Sequence, residues 1–92
     1  MVTAKDLEKI SKFFYDVDGA TFLRMFVYHG GTETMGMHLW SKYNMFNRDI
    51  GRFLGNLDSN NLRIIAKMIN AWKGLSHIGK YKHVKIKSQY YQ

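Results

Sequence analysis

The residues with the clearest chemistry lie in GKYKHVKIKSQYYQ, residues 79–92, where four lysines and three tyrosines occur without an acid. Lysine ammonium groups neutralise phosphates and release their counterions, and tyrosine rings stack on unpaired bases. The interleaving of these two residue types predicts a surface that contacts nucleic acid. The alternative is an edge strand whose lysines prevent pairing with other chains, and the two interpretations are compatible.

The charge of the chain is divided unevenly. Residues 1–58 contain seven Lys or Arg and seven Asp or Glu, whereas residues 59–92 contain seven Lys or Arg and no acid. The whole net charge of +7 therefore lies in the last third of the chain. This asymmetry favours an anionic partner, which is nucleic acid, an acidic protein surface or a membrane face. A surface charged only for solubility mixes both signs, as residues 1–58 do.

The segment NNLRIIAKMINAWK, residues 60–73, predicts a helix with two different faces. Its predicted apolar side consists of Leu62, Ile65, Met68, Ile69 and Trp72. The opposite side carries Arg63, Lys67 and Asn70, with Lys73 on the flank, and lacks the glutamates that surface helices usually add for i,i+4 pairs. The predicted phosphate contacts are Arg63, Lys67, Lys73, Lys80, Lys82, Lys85 and Lys87, and the predicted stacking rings are Tyr81, Tyr90 and Tyr91.

No motif in the sequence supports catalysis. DVDG at 16–19 resembles the start of a calcium loop, but its glycine comes too early and Val27 stands where a bidentate glutamate is needed. The four histidines, at 29, 38, 77 and 83, lack the HExxH or HxxxH spacing of zinc sites. We therefore expect a non-enzymatic protein without a metal or cofactor.

Apolar periodicity and capping residues predict about five short helices. They are expected at about 4–15, at about 20–29, after a cap at Thr32 or Thr34, within 48–57 after a cap at Asn47, and from Asp58 or Ser59 to a stop at Gly74. The apolar run at 20–29 follows neither period and fits a buried helix or a strand, but its Asp18–Gly19 start and lack of alternation favour the helix. Beyond that glycine, HVKIKSQYY at 83–91 alternates apolar residues with lysines, which predicts a strand. The expected fold class is mainly α, a small single-domain helical bundle over residues 1–92 with a C-terminal β-strand or hairpin.

Residues 49–69, DIGRFLGNLDSNNLRIIAKMI, resemble a helix-turn-helix, and KGLSHIGKYKHVKIK after them is similar to the hairpin wing of winged-helix regulators. In that family's pattern Ile50, Gly51, Leu54 and Gly55 match the first helix and turn. The residues from Asn60 onward match the recognition helix. The resemblance covers about 40 of the 92 residues and implies an alternative function as a DNA-binding regulator. Stacking tyrosines and scattered lysines suit RNA or single strands equally, so RNA and DNA both remain open.

The composition is free of Cys and Pro and rich in Lys, Asn, Tyr, Met and Phe, which is similar to small accessory proteins of AT-rich bacteriophage genomes. This resemblance implies another alternative, an inhibitor module that blocks a host factor by docking its basic C-terminal face on an acidic protein. Six methionines and fourteen aromatic residues exceed what one small core readily holds, so we expect a homodimer. The charged N-terminus and the lack of a long apolar run predict a cytoplasmic protein outside the membrane.

Overall fold

The computed structural model describes residues 4–87, and helices dominate this part of the chain. The elements are α1 (Ala4–Asp16), α2 (Gly19–Tyr28), α3 (Glu33–Met45), α4 (Ile50–Gly55), α5 (Ser59–Ala71) and a 3₁₀ helix (Leu75–Tyr81). The prediction of a mainly helical fold is confirmed.

Side chains cap the N-termini of α2 to α5 by accepting a hydrogen bond from a backbone N–H of the first turn. The caps are Asp18, Thr32, Asp49 and Asp58, and the bonds are 2.8 to 3.1 Å long. Asn47, the predicted cap of α4, instead has a left-handed φ of 54° and leads with Arg48 into the true cap, Asp49. A short polar side chain tolerates this conformation better than most. Asn47 therefore belongs to the turn before α4, and Asp49 caps the helix.

Aromatic rings fill the core and connect the helices. The Phe14 ring of α1 lies 6.0 Å from Phe22 of α2, 4.8 Å from Tyr43 of α3 and 5.7 Å from Phe53 of α4. The buried aromatic residues are Phe13, Phe14, Phe22, Phe26, Trp40, Tyr43, Phe53 and Tyr81. One domain therefore buries many of the rings that prompted the prediction of a homodimer, which stays a prediction with a weaker basis.

The predicted C-terminal strand or hairpin is wrong for the described residues, because the chain after α5 forms a 3₁₀ helix and residues 4–87 contain no strand. Gly74, the predicted stop, lies between the end of α5 at Ala71 and the 3₁₀ helix, with a φ of 98° that favours glycine. Val84 and Ile86 are half-buried, and Lys85 and Lys87 are exposed. Burial therefore alternates along residues 84–87, but the alternation shows which side chains face the helices and not that the segment is a strand. A strand also needs a neighbouring strand for its backbone bonds, and this helical domain offers none among the described residues.

Candidate nucleic-acid interface

Helix α5 separates apolar and basic residues onto different sides. Ile64, Ile65, Met68 and Ile69 are buried in the core. Arg63, Lys67 and Lys73 are exposed, as predicted from the sequence. The first two of these lie four residues apart, and such residues are neighbours on a helix surface. The Arg63 guanidinium donates to Asn60 Oδ1 over 2.7 Å, which positions its charge near the start of the helix.

The 3₁₀ helix brings a second group of cations to this region by anchoring one tyrosine. The Tyr81 ring is only 1% exposed, and its hydroxyl lies 3.5 Å from His29 Nε2. Burial and the neighbouring Tyr28 raise the pKa of Tyr81 above its usual value. Lys80 remains exposed, with its Nζ 5.9 Å from the ring centre of Tyr28 and 5.8 Å from that of Tyr81. Tyr81, predicted to stack on bases, is thus a core residue whose ring is covered in this conformation.

Nearby lysines lower the pKa values of two histidines in this region. The pKa of His29 is lowered by burial, and also by the positive charges of Lys80 and Lys67. The pKa of His77 is lowered by burial, and also by Lys80 and Lys73. Lys80 contributes to both shifts, whereas Lys67 contributes only to that of His29 and Lys73 only to that of His77.

Tyr28 is an exposed tyrosine in this region that was not among the residues predicted from the sequence. It is 48% exposed at the end of α2. Its ring meets Tyr81 edge-on at 5.3 Å and His83 at 6.2 Å. The apolar run of α2 suggests a core position for this residue, and only the packing of the 3₁₀ helix shows that it borders lysines. We call Arg63, Lys67, Lys73, Lys80 and Tyr28 together the basic face.

The remaining predicted contacts lie beyond the 3₁₀ helix. Lys82, Lys85 and Lys87 are exposed. The backbone N–H of Lys87 donates to Glu33 Oε2 over 3.0 Å, which directs the chain toward the start of α3. An acid therefore lies beside the last described lysine. Tyr90 and Tyr91, the other predicted stacking residues, lie outside the described residues.

Two further properties of residues 4–87 bear on what this surface can do. No group of three or more His, Cys, Asp or Glu side chains within them is arranged to hold a metal ion. None of the helices described combines the length and apolar character needed to cross a bilayer.

No protein-family model, curated protein or solved structure matches the chain.

Proposed function

We propose that this protein is a non-enzymatic nucleic-acid-binding protein whose basic face holds single-stranded RNA or DNA. The observation that carries the proposal is the exposed Lys80 beside the half-exposed Tyr28 ring, with Lys67 near His29 and Lys73 near His77. Lysines collected in this way attract consecutive phosphates.

The exposed Tyr28 ring favours a single strand over a duplex. Bases that are not paired can lie on an aromatic face, and such stacking tolerates any base sequence. Lys80 lies within 5.9 Å of the same ring centre, so a phosphate and its neighbouring base have partners side by side. The combination of a cationic track with stacking rings is typical of proteins that bind single strands.

The winged-helix alternative loses part of its support in the fold. Its predicted wing coincides with the 3₁₀ helix Leu75–Tyr81, and α4 is only six residues long. The lysines assigned to a wing are instead carried by the 3₁₀ helix and the irregular segment after it. This arrangement favours contact with a flexible strand over insertion of a hairpin into a groove.

A salt titration tests the proposal. A fluorescently labelled single-stranded oligonucleotide is titrated with the protein at several salt concentrations, and the affinity is measured by anisotropy. If the basic face contacts about four to six phosphates, log affinity falls with log salt with a slope of about −3 to −4 for single strands. Failure to bind at low salt contradicts the proposal and favours the alternative in which the same face docks on an acidic protein.

A further inference from the structure

Two small cavities meet at the start of α5, one of about 220 Å³ and the other of about 200 Å³. Met35, Asp58 and Asn61 line both of them. Each cavity is smaller than the range of about 300–1,000 Å³ that is usual for drug-sized ligands. Their size suits a single ring system or a similarly compact group.

Asn61 is the polar residue that the fold buries here without using its side chain. It is 7% exposed, and its backbone N–H donates to Asp58 Oδ1 over 2.8 Å. Its side-chain amide makes no hydrogen bond with residues 4–87 and borders both cavities. The amide is not among the fully enclosed polar atoms that lack a partner in this part of the chain, so its donor and acceptor face the cavity space. A ligand in the cavities can therefore hydrogen-bond to both groups.

The charges and walls of the cavities select an uncharged, flat ligand. The carboxylate residue Asp58 lines both cavities, whereas Lys42 lines only the smaller one, so a phosphate or another anion is disfavoured in the larger cavity. Phe26 and Ile64 supply apolar walls to the larger cavity. An asparagine amide reads adenine through two hydrogen bonds, accepting from the N6 amino group and donating to N7. An unpaired adenine base matches these features.

The cavities adjoin the basic face at two points. Tyr28 is followed within three residues by Gly30 and Gly31, which line the larger cavity. On α5, Asn60 lines the same cavity and accepts the hydrogen bond that positions Arg63. The larger cavity therefore includes residues that adjoin Tyr28 along the chain and a residue that is hydrogen-bonded to Arg63.

We propose that the larger cavity binds one unpaired adenine base through the side-chain amide of Asn61. This inference rests on the proposed function, because the basic face would hold the rest of the strand. It adds base preference to a surface that is otherwise sequence-tolerant. Met35 is 37% exposed and lines both cavities, so its flexible side chain adjusts around the bound ring.

The test uses adenosine and uridine, which carry no phosphate and therefore do not need the basic face. Backbone amide chemical shifts of the isotope-labelled protein are followed by NMR as each nucleoside is added. We expect adenosine to shift Gly31 and Asn61 and to bind more tightly than uridine. Asn61→Asp keeps the size of the side chain but removes its donor, and it should weaken adenosine binding at least about tenfold.

A second variant keeps the test decisive if Asn61→Asp fails to fold. Met35→Trp places a large ring against both cavities and should also abolish the adenosine shifts. Met45→Trp is its matched control, because Met45 lies on the same helix, is 76% exposed and lines neither cavity. The spectrum of each variant without nucleoside reports whether it is folded.

The outcomes separate this inference from the proposed function. Shifts by adenosine that disappear in Met35→Trp and persist in Met45→Trp support the adenine site, even if oligonucleotides fail to bind and the proposed function is wrong. The inference is overturned if adenosine shifts neither Gly31 nor Asn61, if uridine binds equally well, or if Met35→Trp leaves the shifts intact. In those cases a normal salt slope with oligonucleotides would still support the proposed function.

Discussion

At the scale of single residues, two tyrosines have roles that the sequence alone does not separate. Tyr81 lies in a run of lysines and was predicted to stack on bases, yet its ring is buried. Tyr28 lies in an apolar helix and yet is half-exposed beside Lys80. Local composition predicted the lysines correctly as surface residues, because ammonium groups are rarely buried. An aromatic ring suits both environments, so its role depends on the tertiary contacts.

Replacing the exposed ring should weaken binding without unfolding the protein. Tyr28→Leu keeps an apolar side chain against Tyr81 but removes the stacking surface. Since stacking contributes about 1–3 kcal/mol per base, affinity for a single-stranded oligonucleotide should fall about five- to 150-fold. The control is Tyr15→Leu, a change at a ring that is 89% exposed on α1. Equal affinities for the two variants in anisotropy titrations would rule out stacking on Tyr28.

The two histidines beside the lysines should make stability depend on pH. The folded protein lowers the pKa of His29 and of His77 below the ordinary value of 6.5. The unfolded chain therefore binds more protons just below that pH, and stability falls as the pH decreases through 6.5 toward the folded-state pKa values. We expect a lower free energy of unfolding at pH 5.5 than at pH 7.5 in denaturant titrations, a window above the range in which most carboxylates titrate.

Histidine variants test whether His29 and His77 cause the loss of stability between pH 7.5 and pH 5.5. His29→Gln should reduce the difference in unfolding free energy between the two pH values, whatever it does to stability at pH 7.5. His38→Gln, at an exposed position on α3, serves as the control. A wild-type protein that is equally stable or more stable at pH 5.5 would contradict the assignment.

At the scale of elements, short-range sequence signals predict the helices. The conformation of the C-terminal segment depends instead on the elements against which it packs. Thr32 and Asp58 act as caps through contacts only three residues away, so short-range sequence is enough to predict them. The alternation over 84–87 reflects burial against the domain and not pairing with another strand. Periodicity indicates which side chains face the core. An alternating pattern is therefore also expected for an extended segment that packs on helices without forming a strand.

The turn between α2 and α3 provides a test of element packing. A Cβ added at Gly31 would overlap the Phe26 ring, which is fully buried. Gly31→Ala should therefore force core side chains apart, at a cost of about 1–3 kcal/mol. For a domain of this size the melting temperature should fall by about 4–8 °C for each kcal/mol. Gly55→Ala is the matched control, because a Cβ there meets nothing within 4 Å, and an unchanged melting temperature for Gly31→Ala would contradict this packing.

At the scale of the whole molecule, the uneven charge predicted the region of the site but not its composition. The acid-free sequence from residue 59 onward identified α5 and the segment after it as a candidate contact surface. It could not show that Lys80 lies beside Tyr28 and lowers the pKa of both His29 and His77, because that depends on how the 3₁₀ helix packs against α2. Asn61 was likewise not predicted as a site residue, since only the fold shows that its side chain borders two cavities.

The most direct test of the basic face is a charge-reversal comparison of two double variants at one moderate salt concentration. Lys67→Glu with Lys80→Glu reverses two cations of the face, and Lys5→Glu with Arg48→Glu makes the same change in net charge at exposed positions on α1 and in the α3–α4 turn. Anisotropy titrations with one single-stranded oligonucleotide should show at least about tenfold weaker binding for the first pair, together with a salt slope shallower by about 1.4 units, or about 0.7 for each lost contact. The second pair should stay within about threefold of the wild type, since neither residue belongs to the basic face. Equal losses for the two pairs would contradict the account, because net charge and not the basic face would then determine binding.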